Sequence, residues 1–562
     1  MSRSTLRIAN KPYPLYERVW LNDIKELVSY TSKTFGDKTA FTWENDDDEE
    51  VNVSFNEFKR QIEALGAALY SKGVRNERIA LLGESSYMWI LSYFAAVNGG
   101  NTMVPLDKNL PASAMEVLVK DSEASILIYS DTFSDTAAEI NTPMLKTKWN
   151  LKTDIAKMVD EGRKLISDAS PFAKEYIDYK VDNTKLAVII YTSGTTGGSK
   201  GVMLSHKNLM TDVCTASQHL DLFGRQLMVL PLHHAFAFTA CVLAEHYYGV
   251  DIIINKSLTN VLADLQKFKP NNILLVPLFV EKFYARIWDT ARKTKKDKLL
   301  KKIIGISNLL LKLNIDLRRK LFKSVHAAFG GNLDMIVTGG APIDEKYIKG
   351  FKELGINIVN GYGITECSPV VSVNRNGHSK EGSIGLVLPK TKVKIMNKDE
   401  KGIGEICVQG DIVMMGYYNN PKATAEAFIE DEEGKWFNTG DVGRLDEDNF
   451  LFIDGRKKNL IILSNGENVS PEGLEFEIVS ALPYVKEVVC FQEDNVIVAE
   501  AFFNKEYIEE TGTQSVDYTK KFEADIVEFN RNQPPQKNIG KTVVRDTEFP
   551  KTTTMKIKRN YK

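Results

Sequence analysis

A chain of 562 residues is too long for one hydrophobic core and is expected to form about three to four packing units. With 43% hydrophobic and 26% charged residues, and 72 basic side chains against 74 acidic ones, it has an ordinary globular composition and no general attraction for nucleic acid. Its cysteines, Cys214, Cys241, Cys367, Cys407 and Cys490, are scattered, odd in number and without CxxC spacing, which argues against a disulfide framework or a zinc site and predicts a reducing cytoplasm.

In chain order, the opening MSRSTLRIANKPYP has no apolar run, and the longest apolar stretches, such as WILSYFAAV from Trp89, fall well short of the ~18 residues of a membrane span. Neither secretion nor a transmembrane helix is expected. From about Asn52 to Asp131, helical patterns (FNEFKRQIEALGAALYSKG) alternate with short apolar runs (RIALLG, TMVPL, ASILIYS), the rhythm of βα units on a largely parallel sheet. The rhythm resumes after Leu186 with AVIIYTSG, QLMVLPL, DIIIN and NILLVP, which predicts two α/β layers within one large N-terminal region. Residues 286–323 are basic with leucine and isoleucine at helical spacing. They read as a helical hairpin packed on the body with a solvated lysine face, or as a reversible seat on an anionic membrane. Around Ile384 to Tyr418 short strands with turn residues predict a β-rich subdomain, and from Arg456 mixed strands and helices predict a small α+β domain, with the linker at DGRKKN.

Several segments carry chemistry. YTSGTTGGSKG, Tyr191 to Gly201, follows an apolar run, and its glycines, hydroxyls and Lys200 suit close approach to phosphate. It is not a Walker A loop, because Lys200 is followed by Gly201. NGYGITECS, Asn360 to Ser368, also leaves a strand; Glu366 suits magnesium, Thr365 a phosphate and Tyr362 the face of a base. TGGAPI from Thr338 reads equally as close backbone approach or as a tight turn before a helix. Asp441 in WFNTGDVG and Arg456 in FIDGRKKNLI could take the two edges of one ribose, although each alone is most often a turn with a solvated charge.

Taken in order, YTSGTTGGSKG, TGGAP, GYGITE, WFNTGD, DGRKKNLI and PKTTTMKIKR resemble the adenylate-forming superfamily of acyl-CoA synthetases, luciferases and peptide-synthetase adenylation domains, over nearly the whole chain. The resemblance implies an N-terminal domain, 1–455, of two α/β subdomains plus a β-rich subdomain, and a small mobile α+β C-terminal domain, 456–562. It implies that Thr192, Ser193, Gly194, Thr195, Thr196 and Lys200 hold the ATP phosphates, that Gly340, Ala341, Asn360 and Tyr362 frame adenine, and that Thr365 meets the α-phosphate. Glu366 then serves magnesium, and Asp441 with Arg456 the ribose. Lys458 falls at the hinge, where many relatives have Asp, and Gly466 borders the pantetheine channel of coenzyme A. Lys556 matches the lysine that neutralises the reacting carboxylate; the residue before it is usually Gly in the family and is Met555 here.

LPLHHAFAFTACVLAEHYYG occupies the acid-pocket region of the family. His234 matches the histidine beside the substrate carboxylate, though such a residue is as often a satisfied core histidine. Phe238 falls near the aromatic that gates the acyl tunnel in long-chain relatives. The segment carries no aspartate for an amino group, which disfavours amino-acid activation. VPLFVEKFYARIW and KLFKSVHAAFGGNLDMIVTGGAP look like bacterial long-chain fatty acid CoA ligases. The expected reaction is therefore acid plus ATP to acyl adenylate, then thioester formation with coenzyme A. The alternatives are a fatty acyl-AMP or acyl-carrier-protein ligase, an aryl or medium-chain acid ligase, and a catalytically silent scaffold that would have had to lose Lys556 or Glu366. The expected location is the cytoplasm, with a peripheral seat at the inner face of the membrane through 286–323.

Overall fold

The computed structural model describes residues 13–193, 199–462, 468–494, 496–551 and 557–559. The chain divides into two compact units, Met1–Lys392 with Val408–Phe437 and Val393–Cys407 with Asn438–Lys562.

In the first unit the βα rhythm builds two sheets. The nine-stranded sheet runs Leu386–Val387, Val370–Val373, Asn357–Gly363, Met335–Thr338, Asn272–Leu275, Arg225–Met228, Asp251–Ile254, Thr39–Glu44, Glu50–Ser54. Every neighbour from Asn357–Gly363 to Thr39–Glu44 is parallel, so those strands present their carboxyl ends along one edge. Runs such as MIVT and NILL are buried throughout, as strands covered on both faces must be. The seven-stranded sheet runs Gly416–Tyr417, Ser199–Ser205, Leu186–Ser193, Thr102–Pro105, Arg78–Leu82, Ile126–Tyr129, Thr147–Asn150.

The two layers are those expected, but they interleave along the chain. Thr39–Glu44 and Glu50–Ser54 complete the nine-stranded sheet, whereas Leu186–Ser193 and Ser199–Ser205 join strands that precede Asn150. Hydrophobic alternation establishes a strand; which sheet it joins is decided by long-range packing, which the local pattern does not carry.

One helix crossing shows how tight that packing is. Helix Phe55–Ser71 starts at Ser54, whose hydroxyl accepts from the Glu57 N–H, and buries Phe55, Phe58, Ile62, Leu65 and Leu69 at helical spacing. Helix Ala156–Ser167 crosses it at Gly162, where a Cβ would stand 1.7 Å from the carbonyl oxygen of Ala64. Ala in place of Gly gains about 1 kcal/mol of helix propensity, but forcing apart two backbones costs about 1–3 kcal/mol or more. Because the obstacle is a main-chain carbonyl and not a flexible side-chain end, Gly162→Ala is expected to lower stability by about 2 kcal/mol. A denaturant titration reads this directly; an unchanged midpoint would mean that the helices separate at little cost.

A five-stranded sheet has the order Lys392–Met396, Gly404–Gln409, Gly434–Leu445, Phe428–Asp431, with Leu451–Arg456 also on Gly434–Leu445. The β-rich stretch expected to end near Tyr418 thus continues to Arg456. In the second unit Val485–Glu493, Val496–Phe503 and Ile539–Val544 form a three-stranded sheet. Helices Pro471–Ala481 and Tyr518–Arg531 bury Leu474, Ile478, Phe522 and Ile526 against it, the expected α+β arrangement. All five cysteines are buried, and none forms a disulfide. Among the described residues no helix is long and apolar enough to cross a membrane.

Candidate active site

Three segments singled out from sequence leave carboxyl ends of the nine-stranded sheet on one edge, where parallel α/β sheets bind ligands. Arg225–Met228 leads to His233 and His234, Met335–Thr338 to the TGGAP turn, and Asn357–Gly363 to GITE. In register, Thr338 lies opposite Asn360. Gly340 has φ +82°, a left-handed conformation that glycine adopts without strain, and with Ala341 it is exposed at the turn. Asn360 is fixed at both ends of its amide, donating to the Ser383 carbonyl at 3.0 Å and accepting from the Asn374 amide. Tyr362, 9% exposed, pairs with Ser372 across the following hairpin.

At the acid-pocket segment the two histidines have different surroundings. His233 is buried, its Nε2 3.3 Å from Asp107, and its ring centroid is 4.1 Å from that of half-buried His234. Burial, and then the neighbouring His234, push the His233 pKa down to about 3, with Asp107 opposing. Sequence reasoning weighed only His234; the aspartate partner of His233 lies far away in the chain, and no local pattern joins them. Phe238 is buried against Trp89, Tyr93 and Phe94, with its ring centroid 3.9 Å from that of Tyr93. Half-buried Phe236 instead reaches the glycine turn: a Cβ on Gly339 would stand 3.5 Å from its ring and 3.4 Å from the Gly361 carbonyl. Phe236 therefore reaches from the acid-pocket segment to TGGAP, whose Gly339 lies against GYG.

The phosphate and metal candidates meet through a residue that sequence reasoning passed over. In the Leu186–Ser193 and Ser199–Ser205 hairpin, Thr192 lies opposite Lys200, and its hydroxyl points to the Lys200 carbonyl at 3.5 Å. Gly416–Tyr417 pairs with the same strand, placing Tyr417 opposite Val202. The Tyr417 hydroxyl donates to Glu366 Oε1 at 2.9 Å, and the Lys200 ammonium lies 4.8 Å from the centre of its ring. Burial first, then Glu366, raises the Tyr417 pKa, so the phenol stays a donor. The Glu366 backbone is held as well, its carbonyl accepting from the Met414 N–H at 2.8 Å. Thr365 and Glu366 share a short 3-10 turn, Thr365–Cys367. The available signal for Tyr417 was the aromatic pair in MMGYYNNP, which only the pairing with Ser199–Ser205 makes meaningful.

In the second unit Asp441 and Arg456 face each other across antiparallel strands, with Arg456 Nε 2.7 Å from Asp441 Oδ1. Asp441 is 4% exposed, and its N–H donates to the Thr439 hydroxyl at 3.1 Å. Neighbouring Lys457 pairs with Glu405 at 2.7 Å, while Lys458 stands exposed in the Lys457–Asn459 turn. The flanks of PKTTTMKIKR are tied down. Lys551 pairs with Glu487 and Glu548, Ile557 packs with Val489, Phe502 and Phe549, and the Lys558 N–H donates to the Pro550 carbonyl at 2.7 Å. Arg559 donates to Glu475 at 2.6 Å; burial pushes that carboxyl up to about 7, with Arg559 opposing. Gly194, Thr195, Thr196, Gly466, Met555 and Lys556 lie outside the described residues, as does the side chain of Ser193.

Residues 28–418 match the AMP-binding enzyme family and residues 458–561 the AMP-binding enzyme C-terminal domain. The chain is 31% identical over 460 residues to the long-chain-fatty-acid–CoA ligase FadD15 of Mycobacterium bovis, covering 78% of this chain and 75% of that one. It is 25% identical over 553 residues to the chloroplastic long-chain-fatty-acid–[acyl-carrier-protein] ligase AEE15 of Arabidopsis thaliana, covering 84% and 75%. Its fold is that of ATP-bound MatB from Rhodopseudomonas palustris, with a TM-score of 0.73 at 21% identity over 96% and 98% of the two chains. The o-succinylbenzoate coenzyme A synthetase of Bacillus subtilis, in complex with ATP and magnesium, superposes with a TM-score of 0.71 at 21% identity over 95% and 98%. The chain belongs to the AMP-binding enzyme family.

Proposed function

We propose that this enzyme is an AMP-forming acid–thiol ligase that activates a long-chain fatty acid with ATP and passes the acyl group to coenzyme A. The observation that carries the proposal is the convergence of Lys200 and Glu366 on Tyr417 beside the carboxyl edge of the nine-stranded sheet. Acyl adenylate formation drives a carboxylate against a negatively charged α-phosphate, so the site must supply positive charge to the acid, the phosphate and the departing pyrophosphate. Lys200, with Thr192, Ser193, Gly194, Thr195 and Thr196, serves the phosphates, and Thr365 the α-phosphate. Glu366 would hold magnesium, which supplies Lewis-acid charge neutralisation when bound. One carboxylate completed by substrate phosphates and water is the usual magnesium set, and it suits the donors present. Among the described residues no group of three or more His, Cys, Asp or Glu is placed to form a cage made of protein alone.

In this reading Gly340, Ala341, Asn360 and Tyr362 frame adenine, and Asp441 with Arg456 holds the ribose. His234 lies by the acid carboxylate, and Phe238 belongs to the wall of the acyl pocket. The functional boundary lies at 455/456, with Lys458 as the hinge of the C-terminal domain, Lys556 acting in the first half-reaction, and Gly466 bordering the pantetheine channel. The name of the FadD15 relative supports a long-chain acid and coenzyme A. The name of the AEE15 relative supports a second reading, in which the thiol belongs to an acyl carrier protein. Thioester formation measured with free coenzyme A and with loaded carrier protein separates the two. The proposal predicts product with coenzyme A, and product with the carrier protein alone would replace it with the second reading. The proposal also seats the enzyme peripherally at the inner face of the membrane, where long-chain acids concentrate.

A further inference from the structure

The Asp297–Lys312 helix has two apolar faces, and only one meets the protein. Leu300, Ile303 and Ile304 pack against the core, Ser307 is buried, and Asn308 donates to Glu353 at 2.9 Å. On another side Leu299, Ile306 and Leu313 recur every seven residues and so stand in one row, with Leu309 beside them. They are 53%, 47%, 65% and 61% exposed, respectively. A helix that needed only to cover the core would carry polar side chains there. Six of the twenty-one exposed large hydrophobics among the described residues fall between Leu299 and Leu321, and four of the six are the row and its neighbour on this helix face.

The charges around that row have one sign. Residues 286–323 carry thirteen Lys and Arg against three Asp, while the whole chain has a net charge of −2. Among the described residues the three acids already have arginine partners in Asp289–Arg292 and Asp316–Arg318, or open the helix as Asp297 does. Lys298, Lys301, Lys302 and Lys312 form no ion pair there. At 100° per residue Lys302 falls within the leucine and isoleucine row and Lys298, Lys312 and Lys301 along one flank of it, so an apolar strip that seeks hydrocarbon adjoins a strip that seeks negative charge.

We propose that this outer face of the Asp297–Lys312 helix is the membrane seat, with Leu299, Ile306, Leu309 and Leu313 entering the headgroup and acyl boundary and the lysines meeting anionic phospholipid. The inference rests on the peripheral location proposed above and assigns its residues and its lipid class. Charge complementarity selects anionic lipid over a neutral bilayer, and lysine snorkelling lets the ammonium groups stay in the headgroups while their stems lie along the apolar row.

Co-sedimentation of the full chain with vesicles tests it. Mixed phosphatidylglycerol and phosphatidylcholine vesicles are expected to carry the protein down, pure phosphatidylcholine much less, and added salt is expected to weaken the binding. Ile306→Gln/Leu309→Gln/Leu313→Gln should lower partitioning at least about tenfold, and Lys298→Glu/Lys301→Glu/Lys302→Glu by a similar factor, because both forces are needed. Melting temperatures should stay unchanged, since the replaced side chains are exposed. The proposal is overturned if wild-type protein fails to sediment with anionic vesicles, if the apolar triple variant sediments as wild type does, or if this face captures acyl carrier protein and not vesicles. Ligase activity on a dissolved acid without vesicles is read in parallel. Its loss with vesicle binding intact would count against the ligase reading alone, and the converse result against the membrane seat alone.

Discussion

Glu366→Ala is expected to slow acid-dependent pyrophosphate release about 10²- to 10³-fold, the scale on which removal of one charge-stabilising group acts. The structure gives this residue no freedom to be replaced by a neighbour. Its backbone is pinned by Met414 and its Oε1 by Tyr417, which fixes the carboxyl group beside the strand that carries Lys200. Tyr417→Phe separates the two functions of the tyrosine, because it keeps the ring beneath the Lys200 ammonium and removes only the donor to Glu366. A fall of about tenfold, with a higher magnesium requirement, is expected for a lost charge-assisted hydrogen bond. Glu366→Ala also leaves the buried Tyr417 hydroxyl without its acceptor, so stability should drop by about 1–3 kcal/mol. Thermal unfolding of both variants therefore accompanies the kinetics. Wild-type rates in Glu366→Ala would remove the residue from the phosphate and metal chemistry.

Lys556→Ala is expected to abolish acyl adenylate formation while leaving thioester formation from supplied acyl adenylate within a few-fold of wild type. The first half-reaction joins two anions and needs a cation at the carboxylate, whereas the second joins a thiol to an already activated carbonyl. The ends of the motif are not a loose tail. Lys551 and Ile557 form a bridge, and Arg559 is anchored on Glu475 and the Cys490 carbonyl, so both described ends of the motif are held on the C-terminal domain. Equal loss in both half-reactions would refute the assignment.

How much of this could be read in the sequence differs between local and long-range features. The short apolar runs MIVT, NILL and DIII became parallel strands whose carboxyl ends share one edge, because short continuous apolar runs bounded by turn residues are written locally. The opposition of Asp441 and Arg456 followed from two recognisable turns. What stayed hidden depended on pairing between distant segments. Gly416–Tyr417 is a two-residue strand, too short to show periodicity, yet its pairing with Ser199–Ser205 places Tyr417 between Lys200 and Glu366. Asp107 and His233, and Phe236 with Gly339, likewise meet only after the sheet forms. The Asp297–Lys312 helix packs one apolar face on the body, as the first reading of its sequence expected, and exposes another. Helical spacing identifies apolar rows but not which of them finds a partner.

The most direct test of the account is the nucleotide product. Purified protein is incubated with ATP, magnesium, a saturated long-chain fatty acid and coenzyme A, and the products are separated chromatographically. The account predicts AMP and pyrophosphate in a one-to-one ratio with acyl-CoA, and acyl adenylate when coenzyme A is left out. Formation of ADP and phosphate, or no ATP consumption with any acid from short to long chain or aromatic, would contradict it.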